Sequence, residues 1–114
     1  MRWLTEDYIS KNPKVYKEIY SMLENNNNKN FLKSYELFTH YNDDDAMIKK
    51  INVNTLITAG EHDVRSTSEM ARNLKKVIKN SKFVEIKKGK HLCSIECADN
   101  VNIIFKKFID KNNG

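Results

Sequence analysis

Little in this chain punctuates it or ties it together: its 114 residues include two cysteines, one proline and three glycines. Cys93 and Cys97 are too few for a disulfide framework, so a reducing cytoplasm is the expected location. Long apolar runs are missing as well. No stretch approaches the ~18 apolar residues of a membrane span, and the N-terminus lacks the apolar centre of a signal peptide, so no membrane partner is expected. No internal repeat is visible, and the length allows one domain at most. What is present, 39% hydrophobic against 31% charged residues, is the balance of a folded chain rather than a disordered one.

The formal charge of +5 comes mostly from lysine. Aromatic residues are absent from the densest basic run, Lys87, Lys88 and Lys90, so it offers no stacking platform for bases. The other lysines are scattered over expected helix faces as a solvated surface, and no nucleic-acid partner is expected. Asparagine is over-used too, including the run Asn25 to Asn28; a coding bias accounts for both.

The N-terminal half reads as helical. Asn12 and Pro13 make an N-cap and first-turn pair, after which Val15, Ile19, Met22 and Leu23 share one face. The asparagine run ends that helix as a loop. A second helix is expected over about 29–41, burying Leu32, Tyr35 and either Phe38 or Leu37. Asp43, Asp44 and Asp45 then break or cap it; consecutive acids do not share a face, which favours a solvated turn over a metal site.

Past residue 50 the character changes. Ile51, Val53, Thr55, Leu56, Ile57 and Thr58 form a β-branched run stopping at Ala59-Gly60, as a buried parallel strand would. Ser66 and Glu69 have capping-box spacing, which starts a helix near Thr67 with Met70, Ala71, Leu74, Val77 and Ile78 as its apolar stripe. Lys82 to Ile86 is a second strand. Val101, Ile104, Phe105, Phe108 and Ile109 then face one side of a closing helix. The order is β-α-β-α, so the fold class is α/β with two parallel strands joined by a crossover.

In an open parallel sheet, chemistry gathers at the carboxyl ends of the strands. Gly60-Glu61-His62-Asp63 follows the first strand here, and Gly89-Lys90-His91-Leu92 follows the second. A crossover sets adjacent strand ends side by side, so Asp63 and His91 are expected to approach. In that geometry a carboxylate holds an imidazole in one tautomer.

These two loops carry a resemblance. The stretch from Asn54 to Asp63 (NTLITAGEHD) resembles the PTLVIxGxxD strand and acid loop of α/β-hydrolases. Phe83 to His91 (FVEIKKGKH), with Glu96 and then Val101 to Phe108, resembles their last strand, histidine loop and final helix. The likeness runs from about Ile51 to Ile109. Arg2-Trp3-Leu4-Thr5 with Pro13 is similar to the end of the cap segment in 3-oxoadipate enol-lactonase-like members. Asn54 stands where a proline is usual, and Ser68 where a proline often follows the acid; both are structural positions. The resemblance implies a helical cap-segment remnant over 1–50 and a C-terminal core part over 51–114. It also implies catalytic roles for Asp63 as triad acid and His91 as base, in ester or lactone hydrolysis without a cofactor. A nucleophile is not evident. The family's serine sits in G-x-S-x-G, and none of Gly60, Gly89 and Gly114 begins that motif; the oxyanion donors that go with it are missing too. The expected partner is therefore a complementary N-terminal fragment bearing the serine. The alternative is a non-catalytic remnant that persists as a folded oligomer or interaction module, self-associating through the edge of an Ile51–Ala59 strand.

Other residues have plainer readings. Asp63 taken alone is an Asx-turn residue and His91 a loop histidine; their pairing is what favours the triad. His62 reads as a polar neighbour, His40 as helix surface, and Glu96 as a charge near the closing helix's N-terminus. His91, Cys93 and Cys97 lack a fourth metal ligand and read as a base beside two partly buried thiols. Trp3 and Phe31 would line a pocket in a longer relative, with packing as the simpler use.

Overall fold

In the computed structural model, which describes residues 3–41 and 44–112, short polar side chains set most helix starts. Arg2, Asp43 and Gly114, considered above, lie outside the described residues. Thr5 caps α1 (Glu6–Lys11): its Oγ1 accepts the Tyr8 amide at 3.3 Å, while Glu6 and Asp7 in the first turn suit the helix dipole. α2 (Pro13–Glu24) begins at the expected proline, but Asn12 does not cap it with its side chain. The Asn12 side-chain amide donates back to Tyr8 O at 3.1 Å and so closes α1. The asparagine run is divided. Asn25 follows α2, Asn27 Oδ1 accepts the Asn30 amide at 3.0 Å, and α3 (Asn28–His40) already contains Asn28. Asp44 caps a short α4 (Asp45–Ile48) through the Ala46 amide at 2.8 Å.

The expected inner face of α3 is not buried. Leu32, Tyr35, Leu37 and Phe38 are 64%, 55%, 71% and 77% exposed, because a periodic stripe is buried only where another element covers it. On α2, Val15 and Ile19 are half-buried but Met22 is exposed.

β1 (Thr55–Gly60) starts later than the expected Ile51. The Ile51 amide donates to Ile48 O at 3.1 Å, extending the turn after α4, and Ile51 and Val53 are exposed. Pairing begins where Asn80 anchors the chain: its carbonyl accepts the Thr55 amide and its side chain donates to Asn52 O, both at 2.8 Å. α5 (Ser68–Val77) is capped by Thr67 rather than Ser66, Thr67 Oγ1 accepting the Met70 amide at 3.2 Å. β2 (Ser81–Ile86) runs parallel to β1, from Thr55 opposite Ser81 to Gly60 opposite Ile86. α6 (Cys93–Glu96), a single turn that the sequence pattern did not indicate, precedes α7 (Ala98–Asn112). The fold class is α/β, with α5 as the crossover between parallel strands.

Strand alternation sends Ile57 and Ala59 to one face, where they pack with Ala71 and Ile78 and against Ile48 and Phe83. Arg72 lays its guanidinium 5.3 Å from the Phe83 ring centroid and bonds Glu85 at 3.2 Å, so the charged head covers the core's margin. On the opposite face, Leu56 and Val84 look across a cleft at Ile104 and Phe108 of α7. Leu4 and Ile86 are fully buried. No helix among the described residues is long and apolar enough to cross a membrane.

Gly60, the last residue of β1, is the tightest point. A Cβ there would run into the Lys90 carbonyl oxygen and lie 2.6 Å from that of Gly89, and both are backbone atoms that cannot swing aside. Gly60→Ala should lower the unfolding free energy by about 2 kcal/mol or more, in the range of overpacking penalties. Urea titration checks this; an unchanged midpoint would mean that the two loops are not in the contact described.

Candidate active site

Asp63 is placed by its own loop. β1 ends at Gly60, and the Asp63 amide donates to Gly60 O at 3.1 Å to make the turn. Its Oδ1 accepts the Arg65 amide at 2.8 Å and the Ser66 amide at 3.1 Å. That is an Asx-type turn. The second oxygen, Oδ2, lies 2.9 Å from His91 Nδ1. The two readings of Asp63 are thus compatible, one on each oxygen. Ser66 belongs to this turn through its amide, and the cap of α5 falls on the next residue, Thr67.

His91 is placed by the loop after β2. Lys88 takes a left-handed φ of 64° without being glycine, and its amide donates to Glu61 Oε2 at 2.9 Å. Glu61 Oε1 accepts Lys87 Nζ at 2.9 Å, and Lys87 also reaches Glu85 at 2.7 Å. The Lys88 amide bond, then the Lys87 ammonium, hold the Glu61 carboxyl below the usual carboxylate range. Main-chain bonds complete the joint: Glu61 N to Ile86 O and His62 N to Gly89 O, each at 2.9 Å. Gly89 is buried, and a Cβ on it would meet Cys93 Cβ at 2.5 Å. The acid loop and the histidine loop are therefore one bonded unit, and the approach of Asp63 to His91 follows from it.

The electrostatics give the pair a direction. Burial pushes the Asp63 carboxyl up, but bonds from the Arg65 amide, His91 and the Ser66 amide outweigh it, and the group sits below its ordinary value. Asp63 is ionised at neutral pH and can only accept, so His91 Nδ1 carries the proton. Nε2 of a neutral ring then holds the lone pair. Only 5% of the Asp63 side chain is exposed against 42% of the imidazole, so a buried anion orients a ring that solutes can reach. Such a pair can take a proton from a hydroxyl at Nε2 and return it.

The other candidates fall outside this pair. The His62 side chain is exposed, and His40 lies on the surface of α3 with Nδ1 2.8 Å from Glu36 O. Cys93 and Cys97 are unpaired and half-buried, and burial raises both thiols above their ordinary values, which keeps them protonated and poorly nucleophilic. Among the described residues no three of His, Cys, Asp and Glu converge to hold a metal ion. Phe31 is exposed and stacks on Tyr35, whereas Trp3 is half-buried and its carbonyl accepts the Leu92 amide at 2.9 Å. Glu96 does something its sequence position did not indicate. Its carboxylate accepts the Thr5 amide at 2.5 Å and the Lys90 amide at 2.6 Å. An acid five residues after the histidine is the one local signal of it; the other end of the bond lies across the chain.

No protein-family profile matches this sequence, and no curated protein does. Among solved structures the chain is similar to the enol-lactonase from Burkholderia xenovorans LB400. The two are 26% identical with a TM-score of 0.89, and the match covers 96% of this chain and 41% of that one. The chain therefore spans well under half the length of that enzyme.

The Asp63 pair has a pH signature. A carboxylate whose folded pKa is depressed below the ~3.9 of an unfolded aspartate contributes stability above that value. The contribution is lost as pH falls through the lower, folded value. Unfolding free energy should drop from pH 5 towards pH 2.5, and Asp63→Asn should remove part of that drop while leaving the chain less stable at pH 7. Urea titrations across this range check it; parallel pH profiles for both proteins would refute the assignment.

Proposed function

We propose that this chain, which has the fold of a C-terminal part of an α/β-hydrolase, supplies the acid and base of a Ser-His-Asp site for ester or lactone hydrolysis. The observation that carries the reading is the 2.9 Å bond from His91 Nδ1 to Asp63 Oδ2 at the carboxyl ends of adjacent parallel strands. A serine from outside these 114 residues attacks the substrate carbonyl as His91 Nε2 takes its proton. The proton passes to the leaving oxygen as the carbon–oxygen bond breaks, leaving an acyl-serine. Water then attacks that ester, His91 again accepting a proton and returning it to the serine. Asp63 remains ionised and stabilises the imidazolium. In this reading 1–50 belongs to a cap segment, 51–114 to the core, no cofactor takes part, and the free thiols suit a reducing cytoplasm.

Alone, the chain should not hydrolyse an activated ester such as p-nitrophenyl acetate in a saturable way. Loss of a triad serine by itself costs about 10⁶ in turnover, and the oxyanion donors are absent here as well. Co-expression with a serine-bearing N-terminal segment of an α/β-hydrolase should restore turnover that His91→Ala removes. Saturable turnover by the chain alone, abolished by His91→Ala, would overturn the shared-site reading.

One observation favours the alternative of a non-catalytic oligomer. Apolar residues of α2 and α3 stand exposed, Met22, Leu32, Leu37 and Phe38 among them, and β1 has an unpaired edge among the described residues. That edge runs over Thr55–Gly60 rather than Ile51–Ala59. If this reading holds, sedimentation at micromolar concentration gives a species above 13.4 kDa that dissociates on dilution; a monomer at every concentration rules it out.

A further inference from the structure

Both neighbours of His91 in the chain are tied to the same distant segment. The Leu92 amide donates to Trp3 O at 2.9 Å. The Lys90 amide donates to one oxygen of Glu96, and the other oxygen accepts the Thr5 amide, at 2.6 and 2.5 Å. Leu4, between the two attachment points on that segment, is fully buried. The residues before and after His91 are thus held from outside their own loop, one directly and one through a carboxylate. Thr5 is also the N-cap of α1, so the strap that grips the histidine loop is the same turn that launches the helical segment.

We propose that Glu96 is a positioning residue for His91: its carboxylate locks the histidine loop to the Trp3–Thr5 strap and so fixes the imidazole against Asp63. The proposal rests on the acid–base reading above for its functional meaning. Physically it rests on what only a carboxylate can do here. Two acceptor oxygens meet two amide donors, and a bond from a neutral amide to a charged acceptor is stronger than one between neutral groups. Glutamine keeps the shape but turns one oxygen into a donor aimed at an N–H, so one bond is lost and a repulsion replaces it. The strap also links the helical segment to the base, so a load on α1 reaches His91 through two hydrogen bonds rather than through the sheet.

The test uses the whole chain labelled with ¹⁵N. Imidazole ¹⁵N shifts report the His91 tautomer, and amide exchange reports Lys90 and Leu92 separately from Arg65 and Ser66. In Glu96→Gln, Lys90 and Leu92 should exchange about tenfold faster or more, as expected for one charge-assisted bond. The His91 shifts should move towards a mixture of tautomers, while Arg65, Ser66 and the β1 amides stay as they were. Thr5→Pro removes the other donor without touching Glu96, and the Thr5 φ of −73° already suits proline. Judged against Thr5→Ala, which loses only the hydroxyl, it should speed Lys90 and Leu92 in the same way; it decides the matter if Glu96→Gln does not fold. Unchanged exchange at Lys90 and Leu92, or a loss of protection spread evenly over β1 and β2, would overturn the positioning role. The acid–base reading fails separately, if His91 of the unaltered chain lacks an Nδ1-protonated tautomer; the exchange at Lys90 and Leu92 still decides the role of Glu96.

Discussion

The parallel pairing of β1 with β2, and its register, is the constraint from which the site follows. Gly60 stands opposite Ile86 at the end of the pair, so the chain leaves both strands at one level. Asp63 is three residues on from one exit and His91 five on from the other. A slip of two residues would keep every side chain on its proper face but move one loop by about 6.6 Å, more than a hydrogen bond can span. The apolar alternation alone does not forbid that slip. The absence of a side chain at Gly60 does: the carbonyls of Gly89 and Lys90 come in over it, and another residue of β1 brought to that place would carry a Cβ into them.

Three glycines and one proline would ordinarily leave two tight, adjacent loops without their usual turn formers. Carboxylates do much of that work here. Glu61 accepts the Lys88 amide, Asp63 the Arg65 and Ser66 amides, and Glu96 the Thr5 and Lys90 amides. Each bond satisfies a loop N–H that has no ladder or helix partner, and each is of the charged, stronger kind. Lys88 can hold a left-handed φ for the same reason, because its amide bond to Glu61 offsets a strain that glycine would have avoided. One of these loop-shaping carboxylates, Asp63, is also the one that faces the imidazole.

This division explains what could be read in advance. The β-α-β-α order was legible because strand and helix periods are written in consecutive residues, and the two loops were legible because they sit at strand exits. The start of β1 was not: Ile51 and Val53 look like strand residues, yet the first pairing bond depends on Asn80, beyond the crossover. The cap of α5 lies at Thr67 rather than Ser66, with Ser66 still part of the turn whose amides the Asp63 carboxylate accepts, a contact the capping-box spacing does not encode. The two bonds of Glu96 were not legible for a stronger reason, since one of its partners is 91 residues away. The exposed stripe of α3 illustrates the converse, a periodicity that states which face seeks a partner without stating that one is present.

The exposed apolar surface and the missing nucleophile are, under the hydrolase reading, two aspects of one requirement. β2 carries Lys82 and Glu85 among its residues, the kind of charges that mark a strand able to stand at the edge of a sheet, whereas β1 (TLITAG) carries none. A two-stranded sheet is marginal by itself, and among the described residues the face turned to α5 is covered by buried Ala71 of that helix and Ile78 at its C-cap, with Ile48 and Phe83 alongside. A partner that added a strand beside β1 would extend the sheet on its uncharged side. It would also bring another strand exit to the level of Gly60, on the side of β1 away from β2. Under that reading, the side that packing leaves unfilled is the side on which the rest of a hydrolase sheet would add, so one association would supply both stability and the missing catalytic groups.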